Sequence, residues 1–175
     1  MVYTSTGSGA FRSKSGSLSQ KLATEFAAID TAIDTNTTSI SNILDVINSG
    51  QKIQKGNLAA GNANVISFAW QNPEWTKIIV NRIMLRLTTA GGTGGAVMNV
   101  GIVADATSTA DNLIDGLDIN QTGVFDNITN KGDNGLSIGL VDEPGGTNDY
   151  ITGKILTQNA ASLAGKFYVA YTIIV

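Results

Sequence analysis

The chain has 175 residues, enough for one domain with its own core. Charged residues make up only 14%, well below the usual quarter for a soluble domain, and 20 Gly with abundant Ser, Thr and Asn suit a turn-rich β domain or a surface partly hidden in an assembly. A net charge of −3 disfavours nucleic acid as a partner, and the absence of Cys and His removes thiol and imidazole catalysis, disulfides and the usual zinc ligand sets.

Residues 1–17 read as an irregular segment of Ser, Gly and Thr with isolated Tyr3, Phe11, Arg12 and Lys14. Such a composition forms no core of its own. It serves either as a peptide that orders on a neighbouring protein or as an idle tail. The first reading makes Tyr3, Phe11, Arg12 and Lys14 the anchor residues. Residues 1–21 carry Arg12, Lys14 and Lys21 with no acid, whereas residues 22–49 carry Glu25, Asp30, Asp34 and Asp45 with no base. A basic tail ahead of an acidic body favours an acidic docking surface. Residues 1–16 lack the apolar centre of a signal peptide, and no apolar run approaches the roughly 20 residues that span a bilayer. The expectation is a protein that is not exported by a signal peptide and not inserted into a membrane.

Residues 18–49 carry the strongest pattern. Leu22, Phe26, Ile29, Ile33, Asn36, Ile40, Ile43 and Ile47 fall on an unbroken 4-3-4-3 spacing. With Phe26, Ile33, Ile40 and Ile47 at a, the d positions are Leu22, Ile29, Asn36 and Ile43. This is the heptad rule for a helix that needs partner helices, and β-branched residues at both a and d shift the preference from two strands to three or four. The expectation is a parallel homotrimer with these eight residues as its seam. Asn36 would fix the register, by bonding its own copies or a central water or anion. Ser17, with Gln20 three residues on, is a candidate cap, and Gly50 is the stop signal. The alternative is a lone amphipathic helix lying on its own domain, which Ala23, Ala27 and Ala28 allow by widening the stripe near its start.

Residues 50–56 read as a linker, and residues 57–175 as a β domain. Strands are expected over Val65–Trp70, Lys77–Thr88, Val97–Val103, Val124–Ile128, Leu136–Val141, Tyr150–Leu156 and Phe167–Val175, with Asn112–Ile119 ambiguous. In the longest, Ile79, Ile83, Leu85 and Leu87 read as the inner face and Arg82, Met84 and Arg86 as the outer. The last is apolar on both faces, as a central strand is. The Gly91–Gly95 run lacks the Lys and following helix of a phosphate-binding loop and reads as a connection. The fold class is mainly β: an antiparallel sandwich, a jelly roll of eight strands, preceded by the trimeric coiled coil. The alternative, an immunoglobulin-type sandwich, lacks its Cys-Trp-Cys spacing.

Candidate chemistry is sparse. Between Thr88 and Asp149 there are nine acids against Lys131 alone. Asp105, Asp111, Asp115 and Asp118 do not match a calcium-loop spacing and read as turn formers, as do Asp142, Glu143 and Asp149 around Pro144-Gly145-Gly146. No catalytic, cofactor-binding or metal-binding residue is assigned, no cofactor is expected, and an enzyme is not expected. Trp70 and Trp75 bracket Pro73. They either line a receptor- or glycan-stacking surface or pin the start of the β domain to its core or to the next subunit; the second is preferred because large aromatics dominate core and interface burial.

The layout of a short polar N-terminal peptide, a trimerising helix over Leu22–Ile47 and a C-terminal β domain rich in Gly, Thr and Asn resembles that of trimeric proteins on tailed bacteriophage particles. The resemblance covers the whole chain as a layout and carries no diagnostic motif. It implies a virion location, attachment to the capsid or another virion protein through the N-terminus, and a structural role as a capsid decoration or head fibre. The alternative it implies is a tail fibre or baseplate tip that attaches to a host receptor or surface glycan.

Overall fold

A computed structural model describes residues 8–92 and 94–174, with helical side chains described for residues 20–40. The chain divides into two units, Met1–Asn48 and Ser49–Val175. The first contains a single helix, α1 (Ser8–Ser49), 42 residues long and about 63 Å in length. It starts nine residues before the expected cap at Ser17. Once residues 18–49 are helical, adding Ala10, Phe11, Arg12 and Lys14 needs no new nucleus, so extension is cheap. Phe11, Arg12 and Lys14 therefore lie on helical backbone, not in an irregular tail; Tyr3 lies outside the described residues.

The second unit is mainly β, with two sheets packed against each other. Its strands are β1 (Gln51–Leu58), β2 (Ile66–Gln71), β3 (Ile78–Thr89), β4 (Val97–Val103), β5 (Ile114–Asp118), β6 (Gly123–Asp126), β7 (Gly139–Val141), β8 (Tyr150–Thr157) and β9 (Ala164–Ile173). One sheet runs β1-β9-β3-β6, with β7 also paired to β3; the other runs β2-β8-β4-β5. All pairs are antiparallel.

Residues 50–56 are no linker, because β1 pairs with β9 from Gln51↔Thr172 to Leu58↔Gly165. Sequence periodicity missed it for a physical reason. As an edge strand it is mostly exposed on both faces, so Gln, Lys and Gly occupy it without alternation.

The longest strand, β3, organises the core. Ile78, Val80, Ile83, Leu85 and Leu87 are buried. Ile79, expected inside, is on the outer side. A register shift between Val80 and Arg82 in the pairing with β9 inserts an extra residue and flips the alternation midway along the strand. Facing these residues across the sandwich are Met98 and Val100 from β4 and Ile151 and Ile155 from β8, all fully buried. Each such side chain contributes about 1.5–3 kcal/mol on burial. The expectation that the last strand is central holds, since β9 lies between β1 and β3.

Candidate functional site

On α1, Leu22, Phe26, Ile29, Ile33 and Ile40 are exposed by 53–61%, and Asn36 is also exposed. Ile43 and Ile47 lie among the residues whose side chains are not described. A stripe this apolar, running over five turns, is left uncovered within its own unit. Beside it, six hydroxyls bond back to the helix. Thr24, Thr31, Thr35, Thr37, Thr38 and Ser39 each donate to the carbonyl four residues earlier, at 2.8–3.0 Å. Thr37 and Ser39 occupy the e and g positions flanking the stripe. With their hydroxyls satisfied internally, they present carbon to any neighbour.

In the β unit, the loop between β2 and β3 holds Trp75, which is 89% exposed. The loop is closed by a buried Asn72. Its Nδ2 donates to the Thr76 carbonyl (2.9 Å) and the Asp142 carbonyl (2.7 Å), and its Oδ1 accepts from the Glu74 N–H (2.9 Å). Glu74 Oε1 in turn accepts from Lys52 Nζ (3.0 Å) and from the Tyr171 hydroxyl (2.8 Å). Burial pulls the Glu74 carboxyl upward, but the bonds from Lys52 and Tyr171 outweigh it and hold it below its ordinary value. Burial, together with this carboxylate, pushes the Tyr171 phenol up to about 12. Thr76 Oγ1 donates to the Ile174 carbonyl (3.1 Å). The loop is thus braced on β1, β9 and the segment after β7, while its indole faces solvent.

Trp70 is placed differently. It is half-buried on β2 and tilted against Tyr171, with ring centroids 5.6 Å apart. The two tryptophans therefore form no common stacking platform. Arg82 and Arg86 also part company. Arg82 pairs with Asp126, whereas Arg86 is exposed opposite Val124.

A second apolar surface lies at the β6–β7 side of β3. Val124, Ile128, Leu136, Ile138 and Leu140 are 50–62% exposed. Sequence reading did not single it out. The available signal was the run Leu136-Ser137-Ile138-Gly139-Leu140, in which large residues alternate with Ser and Gly that fill little core.

At the other end of the strands, the loops after β1, β3, β5 and β8 meet. Gly61 and Ala160 exchange backbone bonds (3.2 and 2.8 Å), Gly91 N–H donates to Ile119 (2.8 Å), and Ser162 Oγ donates to the Ala90 carbonyl (2.7 Å). Between them is a hollow of about 420 Å³ lined by Gly91, Gly92, Gln158, Asn159, Ala161 and Ser162. Its lining bears no charge. Gln158 holds φ at 59°, the left-handed region that favours glycine.

The loop acids act as turn formers. Asp105 accepts from the N–H and hydroxyl of Thr107 (both 2.7 Å) and of Ser108 (both 2.8 Å), which hold its carboxyl far below the usual range. Asp142 accepts from the Asn148 N–H (3.1 Å) and pairs with Lys77 (2.9 Å). Asp111 and Asp115 both accept from Asn134 Nδ2. Among the described residues no three acids converge on one point, and no helix is long and apolar enough to cross a membrane.

No protein-family model and no curated protein matches the chain. A solved chain from the disulfide-linked pili of Bacillus endospore appendages is similar over 73% of this chain and 94% of its own, at 13% identity and a TM-score of 0.33. At that score no property of the pilus subunit carries over, and a chain without cysteine has no disulfide chemistry to share with it.

Proposed function

We propose that the chain is a non-enzymatic structural subunit of a homotrimer that decorates or protrudes from a tailed-phage capsid. In this reading α1 is the stem, the β unit faces outward, and Tyr3, Phe11, Arg12 and Lys14 belong to the virion-binding end. One observation carries it: the stripe from Leu22 to Ile40 is more than half exposed in the single chain and has heptad spacing, which is what parallel partner helices cover. The strand order β1-β9-β3-β6 over β2-β8-β4-β5 supports assigning the outer unit as a jelly roll, with β7 an additional short strand. Native mass spectrometry of the full chain should give three times the 18.2 kDa subunit. Electron microscopy of particles carrying labelled protein should place labels over the capsid. A monomer, or labels confined to the tail, overturns the reading.

A second reading, a tail-borne tip that binds a host receptor or glycan, is favoured by the uncharged hollow around Gln158 and Asn159. Amides and a hydroxyl suit a neutral polyhydroxylated ligand. Selective binding of one host polysaccharide on a glycan array, lost in Asn159→Ala, would favour it.

A further inference from the structure

The two edges of the five-stranded sheet differ in chemistry, and each suits the other. At the β6–β7 edge, Val124 pairs with Arg86 and Leu140 with Ile79. A Cβ at Gly139 would point inward at Ile102 and Leu113, so the alternating neighbours Ile138 and Leu140 face outward. This is an aliphatic ledge open to water. At the opposite edge, β1 presents Ile53, 66% exposed, and the braced loop presents Trp75. Because Asn72, Glu74 and Thr76 already fix that loop, docking Trp75 costs little ordering entropy.

Level agrees as well. Ile53 pairs with Ala170, which pairs with Arg82, and Ile138 directly precedes Gly139, which pairs with Val80 across the bulge. The two isoleucines thus sit near one cross-strand row, on opposite edges.

We infer that the β1 edge of one copy docks on the β6–β7 edge of the next, seating Ile53 and Trp75 against Ile138 and Leu140. The occupant of each apolar edge is a second copy of this chain, and the contact is head to tail. Such a contact closes into a ring when the rotation per copy permits, here after three copies. With the strands running along the ring axis, a ring without rise needs both halves of the contact at one level, as Ile53 and Ile138 are. The inference deepens the proposed homotrimer and rests on it.

The chain has no native cysteine, so introduced pairs report cleanly. The full-length variants Ile53→Cys/Ile138→Cys and Trp75→Cys/Leu140→Cys replace exposed side chains and leave the core intact. Within one copy, β9 and β3 separate β1 from the β6–β7 edge by about 14 Å, twice the reach of a disulfide. Any bond formed by the Ile53/Ile138 pair is therefore between copies, whereas Trp75, three residues before the β3 segment that pairs with β7, reports on the contact only where its bond yields a covalent trimer. Oxidation should convert most of at least one double variant to a covalent trimer on a non-reducing gel, reversed by reductant, while each single variant gives no trimer. If native mass shows a trimer but neither pair cross-links, this contact is wrong and the trimer stands. A ladder running past three copies overturns ring closure. A monomeric native mass overturns the trimer and, with it, this contact.

Discussion

Phe68 and Phe167 stack across the sandwich, one ring from each sheet, with centroids 4.4 Å apart and planes inclined by 18°. Each ring lies over a glycine in the neighbouring strand: Phe68 pairs with Gly153 on β8, and Phe167 with Gly56 on β1. A Cβ at either glycine would overlap the ring above it. The stack therefore exists because two positions have no side chain. Phe68→Ala should cost about 3–5 kcal/mol. Gly153→Ala should cost about 1–3 kcal/mol by forcing the ring aside. The double variant should cost less than the sum, because the alanine then has room. Urea midpoints at unchanged slope would check this; strict additivity would show that ring and glycine are uncoupled.

Asn127 is fully buried and ties β3 to the segment between β6 and β7. Its Oδ1 accepts from the Ile83 N–H (2.8 Å) at the bulged stretch of β3, and its Nδ2 donates to the carbonyls of Leu136 (3.0 Å) and Ser137 (2.9 Å). Asn127→Asp turns the donor toward those two carbonyls into a charge and should cost about 2–4 kcal/mol. Hydrogen exchange should accelerate first at Ile83. A variant as stable as the parent would remove Asn127 from this role.

The Asp126 carboxylate sets an acid limit. Burial raises its pKa, but the Arg82 ion pair and the N–H groups of Thr129 and Ile128 outweigh that and bring it down to about 2. A depressed folded value stabilises above the unfolded value near 4 and is lost as pH falls toward 2. The contribution at neutral pH is on the order of 2 kcal/mol. Asp126→Asn should lower stability at pH 7 and flatten the fall between pH 5 and pH 2. An unchanged acid profile would assign that fall to other carboxylates.

On the helix, Ile33→Asp with Ile40→Asp places carboxylates in the apolar stripe, where they are costly unless neutralised. Native mass should shift from trimer to monomer. The strand signal in far-ultraviolet dichroism should persist, because Ser49–Val175 carries its own core. A trimer that survives both changes would leave the helix out of assembly.

Legibility followed burial. β4 matches its expected bounds, and β3 and β8 differ by a residue or so, because each buries one continuous face. β1 was invisible for the opposite reason, and one extra residue near Asn81 was enough to place Ile79 on the wrong side. Trp75 stood out by type alone. The ledge of Ile138 and Leu140 did not, because alternation says which residues share a face, and only strand pairing says whether that face is covered.

Strand β9 has a consequence for how the protein is made. It fills the slot between β1 and β3, yet it is the last strand of its unit to leave the ribosome. Until it arrives, the nascent sheet is divided, with two bare edges facing a gap one strand wide. Pairing such as Gln51 with Thr172 spans nearly the whole unit, so closure is intrinsically slow. A ribosome stalled before residue 164 would release a chain that any similar strand can enter, including β9 of a finished sister. Once β9 is in place it pairs with both strands, so the hazard belongs to the interval before the sheet closes.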